Sequence, residues 1–171
     1  MFEGKIFDYQ EWRNVLDIRT GRDSKNVQNP KGKYPIYGSG GIMGYSNEYL
    51  CPAYSIVIGR KGTINSPILV KERFWNIDTA FGIVPNDDKI NIHYLFAFCD
   101  QFNFESLNKQ TTLPSLTRQD LFKIRMPIPP KDLQDEFASY VEEIDKLKFE
   151  ANQRKEKAET EKENLIDKYF R

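Results

Sequence analysis

Apolar and polar residues change rhythm near residue 130. Before it, apolar residues come in short runs broken by glycine, proline and asparagine, as strands and turns require. Tyr34–Tyr37 (YPIY) predicts a short strand, Gly38–Gly41 (GSGG) a turn, and Ile42–Tyr45 (IMGY) the strand that leaves it. Tyr54–Ile58 (YSIVI) is the clearest strand and ends at Gly59. Ile68–Val70, Ala80–Val84 and Ile124–Ile128 predict three more. Glu11–Arg19 carries Trp12, Val15, Leu16 and Ile18 at spacings that fit either a short helix or a strand. Asn91–Phe102 predicts a helix with Ile92, Leu95, Phe96 and Cys99 on one face, and Leu116–Leu121 a turn of helix capped by Thr117. Phe74, Trp75 and Phe81 read as core aromatics.

After Met126–Pro130 (MPIPP), which cannot continue a helix, the period changes. Leu133, Phe137, Tyr140, Ile144, Leu147 and Ala151 follow at steps of 4, 3, 4, 3 and 4, a heptad repeat. The same register passes Arg154, Ala158, Glu161 and Leu165; charged residues weaken its middle, and Leu165, Ile166, Tyr169 and Phe170 restore it. A helix over 131–171 would be ~60 Å long at ~1.5 Å per residue, too long to bury on one small domain. It needs a second helix beside it, with Phe137, Tyr140, Ile144, Leu147, Ala151, Ala158 and Leu165 as the pairing seam. The expected fold is α+β: a mixed-sheet domain over 1–129 followed by one long coiled-coil-forming α-helix over 130–171.

Composition sharpens that boundary. All 10 glycines and all 9 prolines lie at or before Pro130. Lys plus Arg and Asp plus Glu both number 25 in 171 residues, but the balance splits. Residues 1–129 hold 16 basic and 13 acidic side chains, and residues 130–171 hold 9 and 12. Neutrality argues against a protein that holds nucleic acid by bulk charge. No apolar run reaches the ~18 residues a membrane span needs. The first residues do not look like a secretory leader, and a cytoplasmic chain is expected. Cys51 and Cys99 read as two reduced thiols.

Several chemistries lack their residues. There is no GxxxxGK[ST] phosphate loop, and Gly38–Gly44 (GSGGIMG) does not fit GxGxxG before a helix. His93, the sole histidine, is tied by no motif to Ser39 or Ser55 and reads as a surface or packed residue. What remains is polar recognition. Gly59–Asn65 (GRKGTIN) directly follows the clearest strand and offers Arg60, Lys61, Thr63 and Asn65 between glycines that let a ligand approach the backbone. A second loop gathers Lys109, Gln110, Thr111 and Thr112, side chains suited to base edges and phosphates. The glycine turn adds Tyr37, Ser39 and Tyr45. Together these loops are candidates for contact with a nucleic acid, with the long helix setting a distance.

The order of these blocks resembles a known family. Tyr34–Tyr45 (YPIYGSGGIMGY) is similar to the opening of target recognition domains in the DNA specificity subunits of type I restriction–modification systems. Ser55–Thr63 (SIVIGRKGT) and Phe74–Ala80 (FWNIDTA) resemble the next two blocks, and Thr112–Leu121 with Ile124–Pro130 resembles the exit into the family's long helix. The resemblance implies a non-catalytic subunit that reads one half of a bipartite DNA site. It implies a helix that spaces the halves and docks the methyltransferase subunit, with the restriction subunit as a further partner. No cofactor is implied for this chain; S-adenosylmethionine would belong to the methyltransferase. Family members usually carry two recognition domains and two helices, and this sequence carries one of each, as half a specificity subunit or a piece of one would; two copies paired through the helix as a homodimer would restore the pattern. The rival readings are a coiled-coil protein-interaction adapter with inert glycine turns, and a remnant that folds without assembling.

Overall fold

The computed structural model describes residues 7–107 and 115–170. Along the chain run β1 (Tyr9–Glu11), a 3-10 turn (Trp12–Asn14), β2 (Leu16–Thr20), β3 (Tyr34–Gly38), β4 (Gly41–Ser46) and β5 (Ser55–Gly59). Then come β6 (Ile68–Val70), β7 (Trp75–Asn76), β8 (Ala80–Pro85), α1 (Ile92–Gln101), a 3-10 turn (Phe104–Leu107), α2 (Arg118–Phe122), β9 (Arg125–Pro127) and α3 (Lys131–Phe170). An antiparallel sheet ordered β2-β8-β5-β6 is the centre. A smaller mixed sheet, β4-β3-β7, pairs β3 antiparallel to β4 and parallel to β7. β1 pairs with β9.

Both faces of the central sheet are covered, and this explains the nearly unbroken apolar run of β5. Its period of two sends Ile56 and Ile58 to one face and Val57 to the other. On the first face they join Leu16, Ile18, Phe81 and Ile83 against Trp12, α1, α2 and Met126. On the second, Val57, Val70 and Ala80 meet Tyr37, Cys51 and Phe74. Phe74, Trp75 and Phe81 are buried, as the sequence suggests.

The ambiguous Glu11–Arg19 stretch is both things in turn. Trp12 and Val15 go into the core from a tight turn, and Leu16 and Ile18 then alternate inward along β2. The cap expected at Thr117 forms, its Oγ1 accepting from Asp120 N at 3.1 Å, and Asn91 caps α1 in the same way, its Oδ1 accepting from His93 N at 2.8 Å. β1 and β7 are absent from the sequence reading. At three and two residues they are too short to show a period, and distant partners define them.

The N-terminal turns of α3 dock on the globular part, as far as Glu142, whose Oε1 lies 3.1 Å from His93 Nε2, and the remainder is largely exposed to solvent. Gln134 is fully buried, with every polar atom of its amide in use. Its Oε1 accepts from Asn91 N at 2.8 Å, and its Nε2 donates to Pro129 O at 2.8 Å and Lys89 O at 3.1 Å. Ala138 is buried beside it, and Phe137 meets Tyr94 edge to face at 5.9 Å. Phe137, expected in the helix-pairing seam, therefore packs onto the body, because α1 reaches it first. Tyr140, Ile144, Leu147, Ala151, Ala158 and Leu165 are all exposed on α3.

Candidate nucleic-acid interface

Three loops meet at the end of the central sheet where β5 stops and β8 begins. The β3–β4 hairpin turns through Ser39 and Gly40, with Gly38 opposite Gly41. Gly41 sits at φ 122°, open to glycine and costly for other residues. Its tip packs on the turn after β5: a methyl group at Gly59 would lie 3.0 Å from Ser39 Cβ and 1.9 Å from Thr63 O. Only glycine allows that closure. The 77–79 segment forms the third wall, Thr79 O accepting from Arg60 N at 2.7 Å and from Lys61 N at 3.4 Å. Arg60 O accepts in turn from Leu116 N at 3.0 Å, and Lys61 is bridged to Ser115.

The candidate residues separate into three groups within this patch. Lys61 and Thr63 are exposed on the turn, Tyr45 is exposed on β4, and Ser39 is half-buried at the hairpin tip. Arg60 and Asn65 are engaged with the fold. The Arg60 guanidinium donates to Asp78 O at 3.4 Å, while the Asn65 amide bonds Asn103 Oδ1 at 3.0 Å and accepts from Glu105 N at 3.3 Å. Tyr37 corrects the expectation of contact: it is buried, 5.5 Å from Phe74 in an edge-to-face pair, and burial raises its hydroxyl pKa. Its place alternates with Ile36 on β3, so one of that pair had to face the second core. Lys109, Gln110, Thr111 and Thr112 lie outside the described residues.

The sequence reading missed two features. Ile42 and Met43 are more than half exposed just beyond the hairpin turn. Beside β2, a cleft of about 560 Å³ is lined by three arginines, Arg19, Arg22 and Arg118, and one carboxylate, Asp17. Thr20–Gly21–Arg22 repeats at β2 the strand-then-Gly-Arg order of Gly59–Arg60, and that was the available signal. Arg118 is brought in only by the fold. Burial pushes the Cys51 thiol up to about 12 and raises Cys99 as well, so neither offers a thiolate.

The sequence matches the type I restriction modification DNA specificity domain over residues 9–162. The chain belongs to that family. The domain is a specificity element rather than a catalytic one. A relative from Haemophilus influenzae bearing the name of a type I restriction enzyme specificity subunit, S.HindORF215P, is 22% identical over 156 residues. That alignment takes 88% of this chain and 40% of the relative, so the specificity domain described here spans about two-fifths of its length. Two solved structures share the fold. The type I restriction-modification S subunit of M. genitalium superposes with a TM-score of 0.71 at 17% identity, over 84% of this chain and 40% of its own. A chain from a study of complex assembly and conformational transition in the type I R-M system gives 0.72 at 16% identity, over 96% and 46%. Among the described residues, no helix is long and apolar enough to cross a membrane.

Proposed function

We propose that this specificity domain reads one half of a bipartite site in double-stranded DNA, with Lys61, Thr63, Ser39 and Tyr45 as contacts and Arg60 and Asn65 as braces that hold the turn. The observation that carries the reading is the convergence of the glycine hairpin, the 59–65 turn and the chain at Ser115 on one end of a rigid sheet. Loops fixed on a buried scaffold can present side chains to base edges with little loss of order on binding. Lys109, Gln110, Thr111 and Thr112 belong to the same proposal on sequence grounds, since the chain returns at Ser115 beside Lys61.

In this reading residues 1–129 recognise DNA and residues 130–171 set distance. Two copies pair antiparallel through Tyr140, Ile144, Leu147, Ala151, Ala158 and Leu165, which places the recognition parts at opposite ends and favours a split palindrome. The exposed apolar stripe on a projecting helix supports this. The methyltransferase subunit, which would bind S-adenosylmethionine, and the restriction subunit complete the assembly in the cytoplasm. Co-expression with the methyltransferase subunit of the same source, followed by mapping of modified adenines, is the test. A split palindrome supports the homodimer, and an asymmetric split site assigns a different partner domain. No methylation from a complex confirmed to form rejects the reading in favour of an adapter or a remnant.

A further inference from the structure

We propose that the arginine cleft beside β2 seats a DNA backbone phosphate, fixing the position of the domain on the duplex without reading bases. The inference rests on the DNA-binding reading above and adds a second contact surface to it. Arg22 carries the argument. Its side chain is exposed, yet its backbone is held on both sides: its N–H donates to Asn76 O at 3.0 Å, and its carbonyl accepts from Trp75 Nε1 at 3.0 Å. The preceding residue must be glycine, because a methyl group at Gly21 would lie 1.8 Å from Ile77 O. An exposed arginine is thus launched from a fixed point rather than from a free loop.

Charge in the cleft is unbalanced. Arg118 Nη2 lies 3.2 Å and Arg19 Nε 3.6 Å from the Asp17 carboxylate, so two guanidinium groups share one anion. Arg19 also donates to Leu50 O, and Arg118 lies over the Phe122 ring at 4.9 Å. Both are thereby positioned before any ligand arrives. Arg22 adds a third positive charge on the same cleft. Guanidinium forks suit phosphate oxygens. The cleft also adjoins the loop patch. Strand β7, which holds Arg22, runs on into 77–79, whose Thr79 holds Arg60 and Lys61. A duplex lying on the turn at Lys61 would pass the cleft along its backbone.

The test measures binding of a duplex of unrelated sequence against salt, for the chain alone and with the methyltransferase subunit. Arg22→Ala should weaken binding equally for unrelated and target duplexes, and reduce the slope of log K on log salt by about 1. Arg22→Lys should keep most of the slope. Asp17→Asn, which removes the competing anion, should tighten binding, whereas a purely structural role for Asp17 predicts weakening. Arg22→Ala keeps both backbone bonds, so folding is expected to survive. A parent that binds while Arg22→Ala leaves affinity and slope unchanged overturns the phosphate site alone. So does calorimetric capture of inorganic phosphate with no effect of Arg22→Ala on duplex binding. A parent that binds no duplex in either state overturns the recognition reading and this inference with it.

Discussion

Gln134 lies on a helix that is mostly exposed, yet it is fully buried. Its amide satisfies the Asn91 N–H and two carbonyls, so Gln134→Leu would leave three backbone groups without their partner. Each buried unsatisfied group costs ~1–3 kcal/mol, and partial access of water should bring the total to about 3 kcal/mol. Urea unfolding of the two chains measures this, and a loss under 1 kcal/mol would show that α3 docks by Ala138 and Phe137 instead. Nothing in the sequence marks this glutamine, because its partners lie 5 to 45 residues away. Lys61 is the opposite case: Gly-Arg-Lys-Gly after a buried strand was legible because the glycines are local necessities. Lys61→Ala should weaken DNA binding with little effect on stability, since its side chain is exposed. A thermal melt beside a binding titration separates the two, and unchanged binding would remove Lys61 from the interface.

Elements with a long period or a long apolar run were readable from sequence, and those defined by distant partners were not. β5 and α3 declared themselves through burial on two faces and through a heptad. β7 is two residues and exists because β3 lies alongside it. The joint between α3 and α1 has an electrostatic component as well. Asp135 accepts from Lys131 Nζ and from Asn91 Nδ2, both at 2.8 Å, and these bonds lower its carboxyl pKa. A group depressed in the folded state adds stability above its unfolded pKa and loses it as pH falls through the folded value. The joint should therefore loosen in acid, below about pH 4. Asp135→Asn should flatten that part of the stability curve. Hydrogen exchange at the start of α3, compared at pH 3 and pH 6, reads it directly. Equal protection at both values, after correction for the intrinsic rate, would show that Gln134 holds the joint by itself.

For the molecule as a whole, the proposal makes α3 a ruler. The helix's contact with its own body extends to Glu142, whose carboxylate lies 3.1 Å from His93 Nε2, and past it Ile144, Leu147 and Leu165 are each about half exposed. The long exposed seam could be read from sequence; which of its residues the body claims could not, and Phe137 went to Tyr94. If two copies pair along the remaining seam, Ile144→Lys with Leu147→Lys should abolish the dimer seen by light scattering, leaving the melting of the globular part intact. A dimer that survives both charges must use another surface. Length gives the sharper test. Inserting one heptad after Ala151 keeps the seam in register and adds ~10 Å to the helix at ~1.5 Å per residue. Both copies carry the insertion, and in an antiparallel pair the overlap grows once, so the recognition parts separate by that same distance. At 3.4 Å per step of one strand, the unread spacer should lengthen by about 3 base pairs while the two half-sites stay the same. Mapping modified adenines for the insertion variant beside its parent measures both quantities. An unchanged spacer would show that a contact outside α3 sets the distance. An altered half-site would show that the helix bears on the recognition loops themselves.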